Sequence, residues 1–408
     1  MNCGLLGRTL GHSYSPQIHS CFGSYSYDLF EKEPDQIEAF LKQGDFTGIN
    51  VTIPYKKAVI PYLDALSPIA QEMGSVNTIV RRSDGSLFGH NTDYFGFSSM
   101  VQMTGLSLSG KKVLVLGSGG ASNTAVQVLR ELGANVIVVS RSGEHHYGNL
   151  HLHSDASVIV NATPVGMYPN AGKSPIDLTH FPNLEGVLDL IYNPARTQLL
   201  LDAEKRGIIA ENGLWMLVAQ AKEAAECFME ASLPDDLIAS IHKKLSVQMQ
   251  NIVLVGMPGC GKTTIGKMLA DRTGKVFADS DALITEMAGK TIPQIFAEDG
   301  EESFRLWETK ALEQLGNMSG LVIATGGGCV TQYRNYPLLH QNGVIFWLKR
   351  DADLLPTDGR PLSQAGSLTD LYAVRKHLYE DFSDLIIDNN CSVENTVNYI
   401  LSSLEESP

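Results

Sequence analysis

Ile252-Val253-Leu254-Val255-Gly256-Met257-Pro258-Gly259-Cys260-Gly261-Lys262-Thr263-Thr264 is the stretch whose reading organises the rest of this 408-residue chain. Its four apolar, largely β-branched residues predict a buried strand, and Ile265 to Ala270 follow with helical spacing. Between the two lies G-x-x-x-x-G-K-[ST] in full, in the strand–loop–helix setting that gives the pattern its chemistry. The glycines let the loop curl so that backbone N–H groups converge on phosphate oxygens. Lys262 neutralises β/γ-phosphate charge, and the Thr263 hydroxyl is a ligand for Mg²⁺. The expected nucleotide contacts are Gly259, Cys260, Gly261, Lys262, Thr263 and Thr264. Such a loop announces a nucleoside triphosphate and leaves the acceptor open.

The residues downstream narrow the acceptor. Val276–Asp281 predicts a strand ending in Asp279-Ser280-Asp281, two carboxylates on one side of an extended strand end. Of Asp279 and Asp281, one can support Mg²⁺ and the other can face an acceptor hydroxyl. Arg305 and Glu308 share a predicted helix at i, i+3. The strand Leu321–Thr325 delivers Gly326-Gly327-Gly328, where backbone can approach a ligand. After the strand Val344–Leu348, Asp358-Gly359-Arg360-Pro361-Leu362 forms a polar stretch able to close as a lid. Arg375 stands at the head of a last predicted helix through Leu378-Tyr379.

Upstream, a second glycine loop speaks another dialect. Lys111–Leu116 predicts a strand, Gly117-Ser118-Gly119-Gly120-Ala121-Ser122 follows, and Asn123–Leu132 reads as a helix. That is the dinucleotide turn G-x-G-x-x-[GAS] in its required setting. The next strand, Asn135–Val139, ends in Ser140-Arg141-Ser142. An acidic residue there would take a ribose 2′-hydroxyl; an Arg between two hydroxyls suits a 2′-phosphate, so the cofactor is NADP(H). Residues 143–157 are too short for a further strand and helix and read as a polar surface loop, although His145, His146, His151 and His153 fall there. Val158–Thr163 and Val187–Tyr192 are strands, Thr197–Arg206 is a helix, and Asn212-Gly213-Leu214 opens a long helix bearing Gln220. Pro234 to Gln248 predicts the last helix before the P-loop strand, with no flexible linker between.

Residues 1–97 also read as α/β. Strands are expected at Cys3–Leu6, Gly48–Ile53 and Asn77–Val80, and helices at Pro16–Phe22, Asp35–Gln43 and Lys57–Ala65. Three polar clusters fall near strand ends. Gly11-His12-Ser13-Tyr14-Ser15-Pro16 is either a plain helix cap or a seat for a carboxylate. Asn50 to Lys56 brings Asn, Thr and Lys to one strand end, and Asn77-Thr78 is followed by Asn91-Thr92-Asp93.

Composition excludes several classes. Net charge is −14, divided as −6 over residues 1–246 and −8 over the remainder, which rules against a nucleic-acid binder. No run of 18 apolar residues suggests a membrane span. The six cysteines are scattered without a C-x-x-C pair, and the N-terminus has no basic, apolar leader. The expected setting is the cytoplasm.

Two resemblances cover the chain. GHSYSPQIH, GINVTIPYKK, VNTIV, GHNTDYFGF, GSGGAS, NATPVGM and NGLWMLVAQA resemble shikimate dehydrogenase over the first ~245 residues. GMPGCGKTTIG, DSDALI, FAEDGEESFRLWE, ATGGG, DGRPL and AVRKHLY resemble shikimate kinase from about residue 251 to 404. The first resemblance implies that Ser13 and Ser15 hold the substrate carboxylate and that Thr52, Asn77, Asp93, Tyr192 and Gln220 bind ring hydroxyls. It makes Lys56 and Asp93 the catalytic pair, with Gly117, Ser118, Gly119, Gly120, Ala121, Ser140, Arg141, Ser142, Leu190 and Gly213 on NADPH. The second implies that Asp281 activates the acceptor hydroxyl, that Arg305 and Arg375 clamp its carboxylate and that Gly327 lies along it. It also implies that Lys262 and Arg360 serve the transferring phosphate of ATP. The expected architecture is α/β throughout. A substrate-binding domain (1–98, completed by 214–246) and a Rossmann NADP domain (99–213) precede a P-loop kinase domain with a parallel sheet (247–408). The expected chemistry is reduction of 3-dehydroshikimate and phosphorylation of shikimate. An NAD-linked quinate/shikimate dehydrogenase, or one inactive half, is the alternative.

Overall fold

A computed structural model describes residues 1–11, 13–355 and 368–406. Its strands form three sheets. In the first, β1 (Asn2–Gly7), β2 (Ser26–Glu31), β3 (Gly48–Val51), β4 (Ala65–Leu66), β5 (Thr78–Arg81) and β6 (Leu87–His90) lie in the order β2-β1-β3-β5-β6-β4. β1 runs parallel to β2 and β3, whereas β5 is antiparallel to β3 and β6. β3 is buried along its whole length, which is why Gly48-Ile49-Asn50-Val51 reads as an uninterrupted run.

The second sheet is wholly parallel. It orders β7 (Lys112–Leu116), β8 (Asn135–Val139), β9 (Val158–Asn161), β10 (Gly186–Asp189) and β11 (Ile209–Glu211) as β11-β10-β9-β7-β8. The chain reverses direction across the sheet at β7, so the ends of β7 and β9 open the crevice where such folds bind ligands. The third sheet, also parallel, takes β12 (Asn251–Val255), β13 (Val276–Asp279), β14 (Leu321–Ala324), β15 (Gly343–Lys349) and β16 (Leu385–Asp388) in the order β13-β14-β12-β15-β16. β12 is central there and fully buried, so Ile252, Val253, Leu254 and Val255 each contribute roughly 1.5–3 kcal/mol of apolar burial.

The described residues gather into two compact units. One comprises Met1–Val165, Ser174–Tyr192 and Asp202–Lys244; the other comprises Gly166–Lys173, Asn193–Leu201 and Leu245–Pro408. The first holds the first two sheets, the second the third.

Several expectations require correction. Lys57–Ala65 is not a helix: it forms turns, a 3₁₀ turn at Ile60–Tyr62 and the start of β4. The segment faces inward unevenly, with Val59 buried while its neighbours are held by tertiary contacts, such as the Tyr55 hydroxyl donating to Lys32 O. β2, β4, β6, β11 and β16 escaped the sequence reading, because short, half-exposed strands carry little hydrophobic period. The strand at β13 stops at Asp279, and Ser280 begins a helix to Ala288. Asp279 and Asp281 therefore do not share one side of a strand: Asp279 caps the helix by accepting from Asp281 N at 3.0 Å. Arg375 lies in the middle of the helix Leu368–Phe382, not at its head. The His-rich loop folds as a 3₁₀ stretch at Tyr147–His153 with His153 buried.

Candidate active sites

In the first unit, β3 ends at Val51 and the chain turns through Thr52 to Tyr55, placing Lys56 beside the strand ends. Thr52 N–H donates to Leu6 O at 2.9 Å, and Val76 N–H donates to Lys56 O at 2.8 Å. Lys56 is thus fixed by backbone on both sides. Its ammonium donates to Asp93 Oδ2 at 2.6 Å. Asp93 is the first residue of the helix Asp93–Thr104, where the helix dipole stabilises a carboxylate. Its second oxygen accepts from Asn77 Nδ2 at 2.9 Å. Asn77 in turn accepts Thr92 N–H at 2.7 Å and reaches Gln220 Oε1 at 3.5 Å. The side chains of the Lys56–Asp93 pair are 29% and 14% exposed, so the pair is sheltered yet reachable.

These groups open onto a cavity of about 330 Å³ lined also by Ser13, Ser15, Thr52, Tyr192 and Gln220. Every substrate-side residue expected from the sequence lines it, together with Leu190, Gly213 and Ala121 of the expected cofactor set. Asn50 lines it too. Its amide is held by Tyr27, whose hydroxyl donates to Asn50 Oδ1 at 2.7 Å, and by its own bond to Thr78 Oγ1 at 3.1 Å. Met216 and Leu217 supply an apolar wall that residue motifs did not reveal.

The second glycine loop frames a neighbouring cavity of about 710 Å³. Gly117 has φ +108°, and a Cβ there would meet Ala162 O at 3.0 Å, so both conformation and close approach call for glycine. Gly119 caps the helix Gly120–Glu131 with no side-chain partner, and open space lies before Gly119 and Gly120. That is the form of an anion seat at a helix N-terminus. Ser118, Ser140 and Arg141 line this cavity; Ser142 is not among its lining residues. Tyr147, missed in the sequence, lines it beside Arg141: burial raises its hydroxyl above the ordinary range and the guanidinium opposes the rise. His145 and His153 are in contact through Nδ1 and Nε2 at 3.0 Å. Burial, then His145, hold His153 below its ordinary value. Among the described residues no group of three or more His, Cys, Asp or Glu is placed to hold a metal ion.

In the second unit, a cavity of about 520 Å³ lies at the carboxyl ends of β12, β13 and β14. Gly259, Gly261, Lys262, Thr263 and Thr264 form one wall; Cys260 is fully buried and is not among the lining residues. Lys262 Nζ donates to Gly256 O at 2.8 Å and Met257 O at 3.0 Å, which folds it over the loop. Thr263 Oγ1 donates to Asp279 Oδ2 at 3.1 Å. A hydroxyl and a carboxylate side by side are hard oxygen donors that fit Mg²⁺.

The opposite wall carries Asp281, Arg305, Glu308, Gly326 to Gly328 and Arg375. A Cβ on Gly326 would lie 2.8 Å from Asp281 Oδ1 and 3.0 Å from Glu308 Oε1, so the glycine lets two carboxylates crowd the backbone. Arg375 Nη1 donates to Gly327 O at 3.1 Å. Arg305 donates to Glu308 Oε2 at 2.8 Å and to Glu301 Oε1 at 2.9 Å. Burial raises the Glu308 carboxyl above the ordinary range; Arg305 opposes that and Asp281 reinforces it. Phe296, Phe304, Ile292 and Pro293 add an apolar side; Phe296 and Phe304 fall inside the quoted segment FAEDGEESFRLWE, but none of the four was given a role from the sequence. Arg360, and the neighbouring Pro356, lie outside the described residues.

A positive charge against a carboxylate beside a dinucleotide loop can protonate or stabilise an oxygen that receives a hydride. A carboxylate and two arginines facing a P-loop can position a small anionic alcohol for phosphoryl transfer. Among the described residues no helix is long and apolar enough to cross a membrane.

Comparison with known proteins gives two families. Residues 5–79 match the model for the shikimate dehydrogenase substrate binding domain, and residues 258–405 match that for shikimate kinase. A shikimate dehydrogenase (NADP(+)) of Clostridium perfringens is 34% identical over 264 residues, spanning 59% of this chain and 97% of that protein. The crystal structure of shikimate dehydrogenase 1 from Peptoclostridium difficile is 37% identical, with TM-score 0.56, covering 60% of this chain and 98% of that one. Shikimate 5-dehydrogenase from Thermus thermophilus, solved with NADP(H) and shikimate, is 30% identical with TM-score 0.54, covering 60% and 99%.

Proposed function

We infer that this chain, which belongs to the shikimate dehydrogenase family and carries a shikimate kinase domain at residues 258–405, makes shikimate at one site and phosphorylates it at the other. The dehydrogenase reduces 3-dehydroshikimate with NADPH, and the kinase converts shikimate to shikimate 3-phosphate with ATP and Mg²⁺. The observation that carries this reading is the 2.6 Å Lys56–Asp93 pair in a cavity whose wall includes Ala121 of the dinucleotide loop.

When bound, NADPH supplies the hydride, and ATP with Mg²⁺ supplies the phosphoryl group. The chain's own residues do the rest. Ser13 and Ser15 seat the substrate carboxylate, while Thr52, Asn77, Tyr192 and Gln220 orient the ring hydroxyls. Lys56 gives a proton to the carbonyl oxygen as charge develops there, and Asp93 holds the ammonium and the adjacent hydroxyl. The loop from Gly117 to Ala121 would hold the pyrophosphate of NADPH, with Ser140 and Arg141 available to its 2′-phosphate and Leu190 and Gly213 to the cofactor where it meets the substrate cavity. In the kinase, Asp281 accepts the hydrogen bond of the attacking hydroxyl, and Arg305 and Arg375 hold the carboxylate alongside Gly327. Thr263 and Asp279 hold Mg²⁺, Lys262 meets the phosphates, and Arg360 belongs to the same set by resemblance alone. Domain limits of 1–98 with 214–246, 99–213 and 247–408 accompany this assignment.

The cofactor assignment has its own test. The chain should reduce 3-dehydroshikimate with a kcat/KM for NADPH far above that for NADH. Arg141→Ala should lower the NADPH value by about tenfold to 100-fold, the worth of a charge-assisted hydrogen bond, and leave NADH nearly unchanged. An equal loss with both cofactors would remove Arg141 from the 2′-phosphate.

A further inference from the structure

The second unit contains a carboxylate already seated on the guanidinium that the function assigns to the substrate. Arg305 is almost fully buried, and two acids take its nitrogens: Glu308 on Nη1 at 2.8 Å and Glu301 on Nη2 at 2.9 Å. The two acids are not equivalent. Glu308 is wholly buried on the cavity wall beside Asp281. Glu301 sits in the first turn of the helix Gly300–Gly316, and its side chain is 58% exposed. Glu301 does not line the cavity of Asp281 and the P-loop. It lines a separate outer cavity of about 580 Å³ together with Glu302 and Arg334. Arg305 and Arg375 line both cavities.

Charge sets the order in which these acids can yield. A substrate carboxylate arriving at Arg305 would be the third anion on one guanidinium, with Asp281 close by and Arg375 on the same wall adding positive charge. Like charges held together are costly, and the acid with the smallest penalty for leaving is the one that regains water. Glu308 cannot leave without abandoning a buried ion pair, whereas Glu301 can turn to solvent on its exposed side. We propose that Glu301 is an internal competitor for Arg305, displaced when shikimate binds, and that it sets the kinase's affinity for its carboxylated substrate. Glu301 touches no reacting atom and acts through Arg305. The proposal rests on the kinase reading, and on Arg305 as a carboxylate ligand.

The test is shikimate binding and turnover by the full chain carrying Glu301→Gln, which keeps the shape and removes the charge. An exposed ion pair is worth little, so shikimate Kd and KM should fall by about threefold to fivefold. kcat and the KM for ATP should stay within about twofold, and the gain should shrink as ionic strength rises. Glu301→Ala, which offers Arg305 no acceptor, should show the same gain. An analogue with hydroxymethyl in place of the carboxylate should bind parent and variants alike, which a merely structural effect on the helix would not produce. Unchanged or weaker shikimate binding by both variants, with phosphorylation intact, overturns the proposal alone. A parent chain that neither binds nor phosphorylates shikimate overturns the kinase reading and the proposal together.

Discussion

Lys56→Ala is expected to lower kcat for the reduction of 3-dehydroshikimate by about 10²–10⁴-fold, the range for loss of a positioned general acid. The substitution removes the ammonium 2.6 Å from Asp93 and leaves the carboxylate held by Asn77 at 2.9 Å. KM should change far less than kcat, because Ser13, Ser15 and Thr52 line the same cavity and are untouched. Thermal unfolding should barely move: Lys56 is part-exposed and its carbonyl keeps the backbone bond from Val76 N–H. Phosphorylation of shikimate by the same protein should keep its parent rate. Initial velocities of both reactions on one preparation check this. Parent-like reduction would take Lys56 out of the catalytic pair, and a parallel loss of phosphorylation would contradict separate sites.

Lys262→Ala is expected to give the reciprocal pattern, with phosphorylation reduced at least about 10²-fold and reduction unchanged. The lysine is the cation of the P-loop, and its bonds to Gly256 O and Met257 O show that it packs across the loop it serves. Its removal costs the charge at the transferring phosphate and some order in the loop. Lys262→Arg separates these effects, since it keeps the charge in a bulkier form within a buried pocket. Measured kcat should stay low for both, while ATP binding should be weakened more by Ala than by Arg. Undiminished phosphorylation in Lys262→Ala would refute a P-loop mechanism for the second unit.

The parts of both sites that lie within continuous stretches were legible in the sequence. Ile252 to Thr264 and Lys111 to Ser122 each place a strand, a glycine loop and a helix in immediate succession, so local pattern and function coincide. Ser13, Lys56, Asn77, Asp93 and Gln220, named from scattered segments, line one cavity: pairing of β3 with β1 and β5 brings the segments of Lys56 and Asn77 together, and the helices Asp93–Thr104 and Leu214–Met229 supply Asp93 and Gln220. What the sequence hid was set by tertiary contact. Lys57–Ala65 has apolar spacing that a helix would accept, yet pairing of β4 with β6 draws it into turns. Asp279 and Asp281 are two apart, but a helix begins between them and sends them to different tasks. Tyr147 looked like a loop residue until its neighbourhood with Arg141 was visible. Glu301 had no role in the sequence reading, since its bond to Arg305 is a contact between side chains.

One reaction mixture tests the central claim, that a single chain carries two working sites linked by one metabolite. The purified chain is given 3-dehydroshikimate, NADPH and MgATP, and NADP⁺, ADP and shikimate 3-phosphate are quantified together. The expected result is formation of all three, with shikimate 3-phosphate appearing only when both cofactors are supplied, and shikimate accumulating when ATP is left out. Consumption of NADPH without any ADP or shikimate 3-phosphate, or no consumption of either cofactor, would contradict it.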